Sequence, residues 1–145
     1  MSHIPKREAI MQALESRLNA QRVLPGYDAR DLPITVIEAA SESAEHNQYD
    51  QITATLPVTV ARVISLNTIP EAKWHSHCLQ QLTALYQSVF TDFDLNGLAD
   101  AMRYTGSNYN PFAGEGRRQA ELQLNLSIVY RFEADNPTLP LTPTP

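Results

Sequence analysis

Between Pro5 and Ala20, Ile10, Leu14 and Leu18 recur every four residues, while Lys6, Glu8, Gln12 and Glu15 fall off that line. Such spacing puts the apolar residues on one stripe and predicts an amphipathic helix. Pro25, Gly26 and the charged YDARD break the pattern, and the β-branched run LPITVIEA then predicts a strand ending near Ala40. The polar SESAEHNQYD that follows reads as a loop. From Tyr49 the chain alternates, with Ile52, Ala54, Leu56, Val58 and Val60 on one side and Gln51, Thr53, Thr55 and Thr59 on the other. This is the pattern of a strand with one buried and one wetter face. Pro57 removes a ladder hydrogen bond, so the strand is expected at a sheet edge, at a bulge, or with that amide turned outward.

In NTIPEAKW, Thr68 and Glu71 have the spacing of a capping box and Pro70 falls in the tolerant first turn, which predicts a helix start. Trp74, Cys78, Leu82, Leu85 and Val89 make the apolar stripe of this second long helix, with Leu79, Tyr86 and Phe90 beside it. RYTGSNYNPFAGEG reads as strand giving way to a polar loop. In RQAELQLNLSIVYRF, Ala120, Leu122, Leu124, Leu126, Ile128, Tyr130 and Phe132 share one face of an unambiguous strand. The closing EADNPTLPLTPTP is proline-rich and predicts an extended tail, so residues 1–132 form a single domain and residues 133–145 lie outside it. These elements give an α+β class: an antiparallel or mixed sheet with two long helices packed on one face.

TDFDLNGLADAMR has oxygen-bearing residues at Asp92, Asp94 and Asn96 and a glycine at Gly97, as a calcium loop requires. The twelfth position is Arg103, however, whose guanidinium cannot ligate a cation. Asp92 to Asp94 closing the second helix, and Asn96 capping a short helical turn with Leu98, Ala99 and Met102, account for the same residues.

Composition narrows the chemistry further. At 145 residues with net charge −5 and pI near 5.3, the chain lacks the excess of positive charge that grips nucleic acid or an anionic membrane. MSHIPKREAIMQ has no signal-like apolar core, and no apolar run approaches the roughly 20 residues that span a bilayer. Cys78 is the only cysteine, which excludes an internal disulfide and suits a reducing compartment. His75 and His77 sit two apart on a helix, about 200° around it, and cannot share an ion. No nucleophile elbow occurs, Cys78 lies on the apolar stripe, and the glycines of NPFAGEGRRQ do not link a strand to a helix as a phosphate loop does.

The opening helix REAIMQALESRL, the strands LPITVIEA and QITATLPVTVARV, the helix WHSHCLQQLTALYQSVF, the stretch LNGLADAMRYTGSNY and the closing strand RRQAELQLNLSIVYRF together resemble the tail terminator (lambda minor tail protein U-like) family of long-tailed bacteriophages. The resemblance spans Ile4 to Phe132, is one of pattern, and departs at the polar stretch GSNYNPFAGEG and the Pro/Thr tail. It implies a non-enzymatic virion protein without cofactor, a homo-hexameric ring at the tail-neck junction, assembled in the bacterial cytoplasm. Such a ring binds the tail tube protein, stops tube polymerisation and offers a docking surface to head-tail connector proteins, with DNA only passing through its lumen. Contacts with subunits or tube are expected from the loops Ser41–Asp50 and Tyr104–Arg118, through Tyr49, Tyr109, Phe112, Arg117 and Arg118, because exposed aromatics and arginines are common interface residues. Two alternatives stand beside this one: another head-tail joining or tail completion protein, and a small ligand- or calcium-binding module.

Overall fold

The two segments with the longest alternation lie side by side. In the computed structural model, which describes residues 4–47, 49–114 and 117–137, strand β3 (Gln51–Ser65) pairs antiparallel with strand β5 (Arg117–Glu133) from Gln51↔Glu133 to Ser65↔Gln119. Strands β1 (Ile34–Ala39) and β2 (Ser43–His46) share the other side of β3, and β4 (Ala101–Gly114) lies outside β5. All pairs in this five-stranded sheet are antiparallel. Helices α1 (Lys6–Leu18) and α2 (Trp74–Val89) cover one face, so the expected α+β fold is present.

The period-two pattern dictates which face they cover. Ala54, Leu56, Val58 and Val60 of β3 and Leu124, Leu126, Ile128 and Tyr130 of β5 meet Ile10, Met11, Leu14 and Leu18 of α1 and Leu85 and Val89 of α2 in the main core. A second cluster under the start of α2 joins Trp74, Cys78 and Leu82 to Ile64, Leu66, Ala120 and Leu122. Each large side chain removed from water contributes on the order of 1.5–3 kcal/mol, and the helix stripes and strand faces named above supply them. The opposite sheet face carries Thr53, Thr55, Thr59, Asn125 and Ser127, and the Thr59 hydroxyl donates to Asn125 Oδ1 across the strands at 3.0 Å.

Several expectations are corrected. Ser41–Asp50 is not a loop throughout: Ser43–His46 forms β2 against Thr55–Ile52, because β3 extends past the end of β1 and offers it a free edge. Pro57 lies in a central strand. It is tolerated because it falls between the last partner in β1 (Ala39↔Val58) and the first in β2 (Ser43↔Thr55), where only its carbonyl is needed, accepting from the Ala40 amide at 2.8 Å. The Thr68/Glu71 box does not form. Instead Pro70 precedes a single 3-10 turn, Glu71–Lys73, that leads into α2, and Trp74 Nε1 donates to the Ile69 carbonyl at 2.9 Å.

No helical turn follows α2. Leu95, Asn96 and Gly97 all have positive φ, and the cap is Asp92, whose Oδ1 accepts from the Leu95 amide at 2.8 Å, rather than Asn96. Met102 already belongs to β4. The Tyr104–Arg118 loop is likewise a strand up to Gly114, since the length of β5 offers a continuous ladder from Ala101↔Val129 to Gly114↔Arg117, interrupted by one bulge between Tyr104 and Gly106. Pro111 is accommodated because β4 is an edge strand. At the far end, Glu133 completes β5, and Pro137 remains attached through its carbonyl, which accepts from the Lys6 amide at 2.9 Å. Of the expected tail, 138–145 lies outside the described residues.

Candidate interaction surface

The strand ladder separates the five expected contact residues into two groups. Tyr49 sits on the turn between β2 and β3, beside the pair Gln51↔Glu133, whereas Tyr109, Phe112, Arg117 and Arg118 lie near the other end of β5, close to Ser65↔Gln119. At a rise of about 3.3 Å per residue the ends of β3 stand roughly 45 Å apart.

At the Tyr49 end, Asn47 organises the turn. Its Oδ1 accepts from the Tyr49 amide at 2.9 Å and the Gln51 amide at 3.1 Å, and its own amide donates to the Gln51 carbonyl at 2.8 Å. Asp50 supplies the left-handed residue with φ 57°. These bonds hold the turn, from which Tyr49 projects 73% exposed.

At the opposite end only part of the expected set is free. Tyr109 is half-buried against the Trp74–Leu122 cluster, and its hydroxyl lies 3.1 Å from His75 Nδ1, so it fastens β4 to α2. Arg117 places its guanidinium 5.8 Å from the centre of the Tyr27 ring, whose hydroxyl accepts from Gln119 Nε2 at 2.9 Å. Arg118 is held by its backbone, donating to Asn67 Oδ1 at 3.3 Å and accepting from the Leu66 amide at 2.8 Å, and it remains exposed. Phe112 is 41% exposed at the end of β4. Phe112, Arg117 and Arg118 are thus all exposed at this end, with Arg117 resting over Tyr27 and Tyr109 the half-buried member.

A third surface was not anticipated. Leu79, Leu82, Thr83, Tyr86, Tyr104, Ser107 and Leu124 line an open, largely apolar groove of about 400 Å³ between α2 and β4. Tyr86 meets Phe90 at 4.7 Å and Tyr104 at 5.4 Å between ring centres, and Phe93 extends the row at 5.4 Å from Phe90. Leu79 and Phe93 are more than half exposed. The signal was present in the helix pattern, which put Leu79 and Tyr86 beside the buried stripe. Their exposure follows from β4 being the last strand, with nothing beyond it for the helix flank to cover.

The chain matches no protein-family model and no curated protein sequence. Among the described residues there is no group of three or more His, Cys, Asp or Glu placed to hold a metal ion. Asp92, first in the calcium-like spacing, is engaged otherwise, with its Oδ2 2.9 Å from Arg17 Nη2. Burial opposes its ionisation, but the Arg17 and Leu95 donors outweigh that and hold its carboxyl below the usual carboxylate range. Cys78 is fully buried, and burial pushes its thiol up, away from the thiolate that a nucleophile needs. Arg62 faces a polar cavity with Asn19, Gln21 and Asp31, and its Nε donates to Thr35 Oγ1 at 2.8 Å. Among the described residues no helix is long and apolar enough to cross a membrane.

Proposed function

We propose that this protein is a tail-terminator-like virion component: a subunit of a hexameric ring that seats on the last layer of the tail tube, ends its polymerisation and presents its far side to the neck. The reading starts from the resemblance carried by Ile4 to Phe132. The observation that supports it best is the separation of two accessible ends by one long antiparallel slab. A piece that stands between two different assemblies needs two contact regions held rigidly apart. Here Tyr49 marks one, Phe112 and Arg118 mark the other, and the β3–β5 pair fixes the distance between them. The helix-covered face supplies the core, while unpaired strand edges remain for neighbours in a ring. The function asks for no cofactor and no chemical step.

The test is electron microscopy of polymerising tail-tube protein with and without this chain, together with mass photometry of the chain alone. Six-subunit rings, or tubes stopped at capped ends, are expected. Tubes that grow unchecked with bare ends in a saturating excess of this protein would refute the proposal.

A further inference from the structure

Among the described residues the two edges of the sheet are unpaired at the same height and blunted at the same height, and we infer from this that a second copy of the chain docks its Ala39–His46 edge against the Ala101–Tyr104 part of β4. The inference rests on the ring reading above and names the surfaces that close it. Following the ladder across the sheet, Thr35 is level with Arg62, Leu122 and Tyr109, and Ile37 with Val60, Leu124 and Ser107. At this height β1 is already covered, since the Gln21 amide donates to the Thr35 carbonyl and the Ile37 amide to the Gln21 carbonyl, each at 2.9 Å. At this height β4 is also poorly suited to pairing, because the bulge before Gly106 and Pro111 bracket it. Lower down both edges open. Ala101 is level with Thr55 and Ser43, and Tyr104 with Val58 and Ala39. Among the described residues β4 pairs here with β5 alone, and β2 with β3 alone.

Direction and charge agree with this pairing. Strands alternate in direction across the whole sheet, so a copy carried round by rotation brings its β1–β2 edge antiparallel to β4. The single charge on β4 is Arg103, on the face opposite buried Met102. On that same face the other edge carries Glu38 and Glu45, which lie two and four ladder positions either side of the Arg103 level. At about 3.3 Å per position, the nearer carboxylate falls within reach of an arginine side chain. Pairing β4 with β4 of a second copy would instead bring two Arg103 guanidiniums together, and like charges across strands repel. The contact is therefore heterologous, the kind that generates rings. On the helix side, the same docking reaches the Tyr104 and Tyr86 end of the groove.

Charge reversal tests it. R103E and the double variant E38R/E45R should each raise the concentration needed for assembly at least tenfold, read by mass photometry and sedimentation, with unchanged circular dichroism. Combining all three substitutions in one chain should restore rings. Mixing the R103E chain with the E38R/E45R chain should restore rings in which the two chains alternate, because every unlike contact then sets opposite charges together and every like contact sets equal ones. Scoring the same variants on capped tube ends covers a ring that closes only there. Wild-type assemblies indifferent to every substitution, or sensitive to R103E but not to E38R/E45R, overturn the edge assignment and leave the terminator reading intact. A wild-type chain that neither assembles up to millimolar concentration nor caps tubes overturns both.

Discussion

Arg17 joins the two helices: its Nη1 donates to the Val89 carbonyl at 3.1 Å and its Nη2 to Asp92 at 2.9 Å, at the point where α2 ends. Because the folded protein holds the Asp92 carboxyl below its unfolded value of about 4, the contribution is present above that value and is lost as pH falls through the lower, folded one. Wild-type melting temperature should thus fall further than that of Asp92→Asn when pH is taken from neutral into the acid range, by differential scanning fluorimetry. Equal falls would remove Asp92 from the account. Tyr130 offers a second residue-level test. Its hydroxyl donates to Glu42 Oε1, which fixes the crossing from β1 to β2 over the core, and burial together with that carboxylate raises its pKa well above the ordinary tyrosine value. Tyr130→Phe removes one hydrogen bond to a charged acceptor and should cost about 1.5–3 kcal/mol in urea unfolding. Neither bond was legible in the sequence, since each joins residues far apart in the chain. The calcium-like spacing of Asp92, Asp94 and Asn96 could be discounted in advance through Arg103 and through the strand-like RYTGSNYNPFAGEG where an exiting helix would be needed.

Among the elements, those with a full apolar stripe or alternation were legible, and those defined by a neighbour's edge were not. The stripe of α2 named all five residues that the structure buries there, and the alternation of β5 named its core face. Leu85→Ala should accordingly cost about 2–5 kcal/mol, whereas Leu79→Ala, on the exposed flank of the same helix, should stay within about 0.5 kcal/mol. Urea denaturation of the pair checks the assignment, and comparable losses would contradict it. By contrast β2 is four exposed residues, and β4 mixes Gly106, Asn108, Asn110 and Pro111 into its length. Their own propensities favour loop; ladder bonds to β3 and β5 make them strands. The same tertiary override acts at Leu95–Gly97, where Asp92 and the buried Leu95 side chain hold three successive residues at positive φ. Gly97→Ala meets no atom within 4 Å of the added carbon, so its cost is backbone strain alone, about 1 kcal/mol.

For the whole molecule, the arrangement of surfaces matters more than any one contact. The expected interface residues were chosen as exposed aromatics and arginines on two stretches taken for loops, and sequence distance gave no hint that a long slab would separate them. Within the chain the Tyr109 hydroxyl lies against His75 and Arg117 over Tyr27, and the groove beside β4 is open because β4 is an edge. If one end meets the tube and the other the neck, damage at each end should give a different defect. Tyr49→Ser and the pair Phe112→Ser with Arg118→Glu alter exposed side chains, so folding and ring size should be unchanged in both. One variant should lose the ability to cap tubes. The other should cap them normally yet yield tails that fail to join heads, visible as free tails of correct length. Exposed hot-spot residues of this kind cost 1 kcal/mol or more when removed, enough for a fivefold or greater loss of occupancy. Two variants with the same defect would mean that both ends serve one partner, and the slab would then have to be oriented across the ring rather than along its axis.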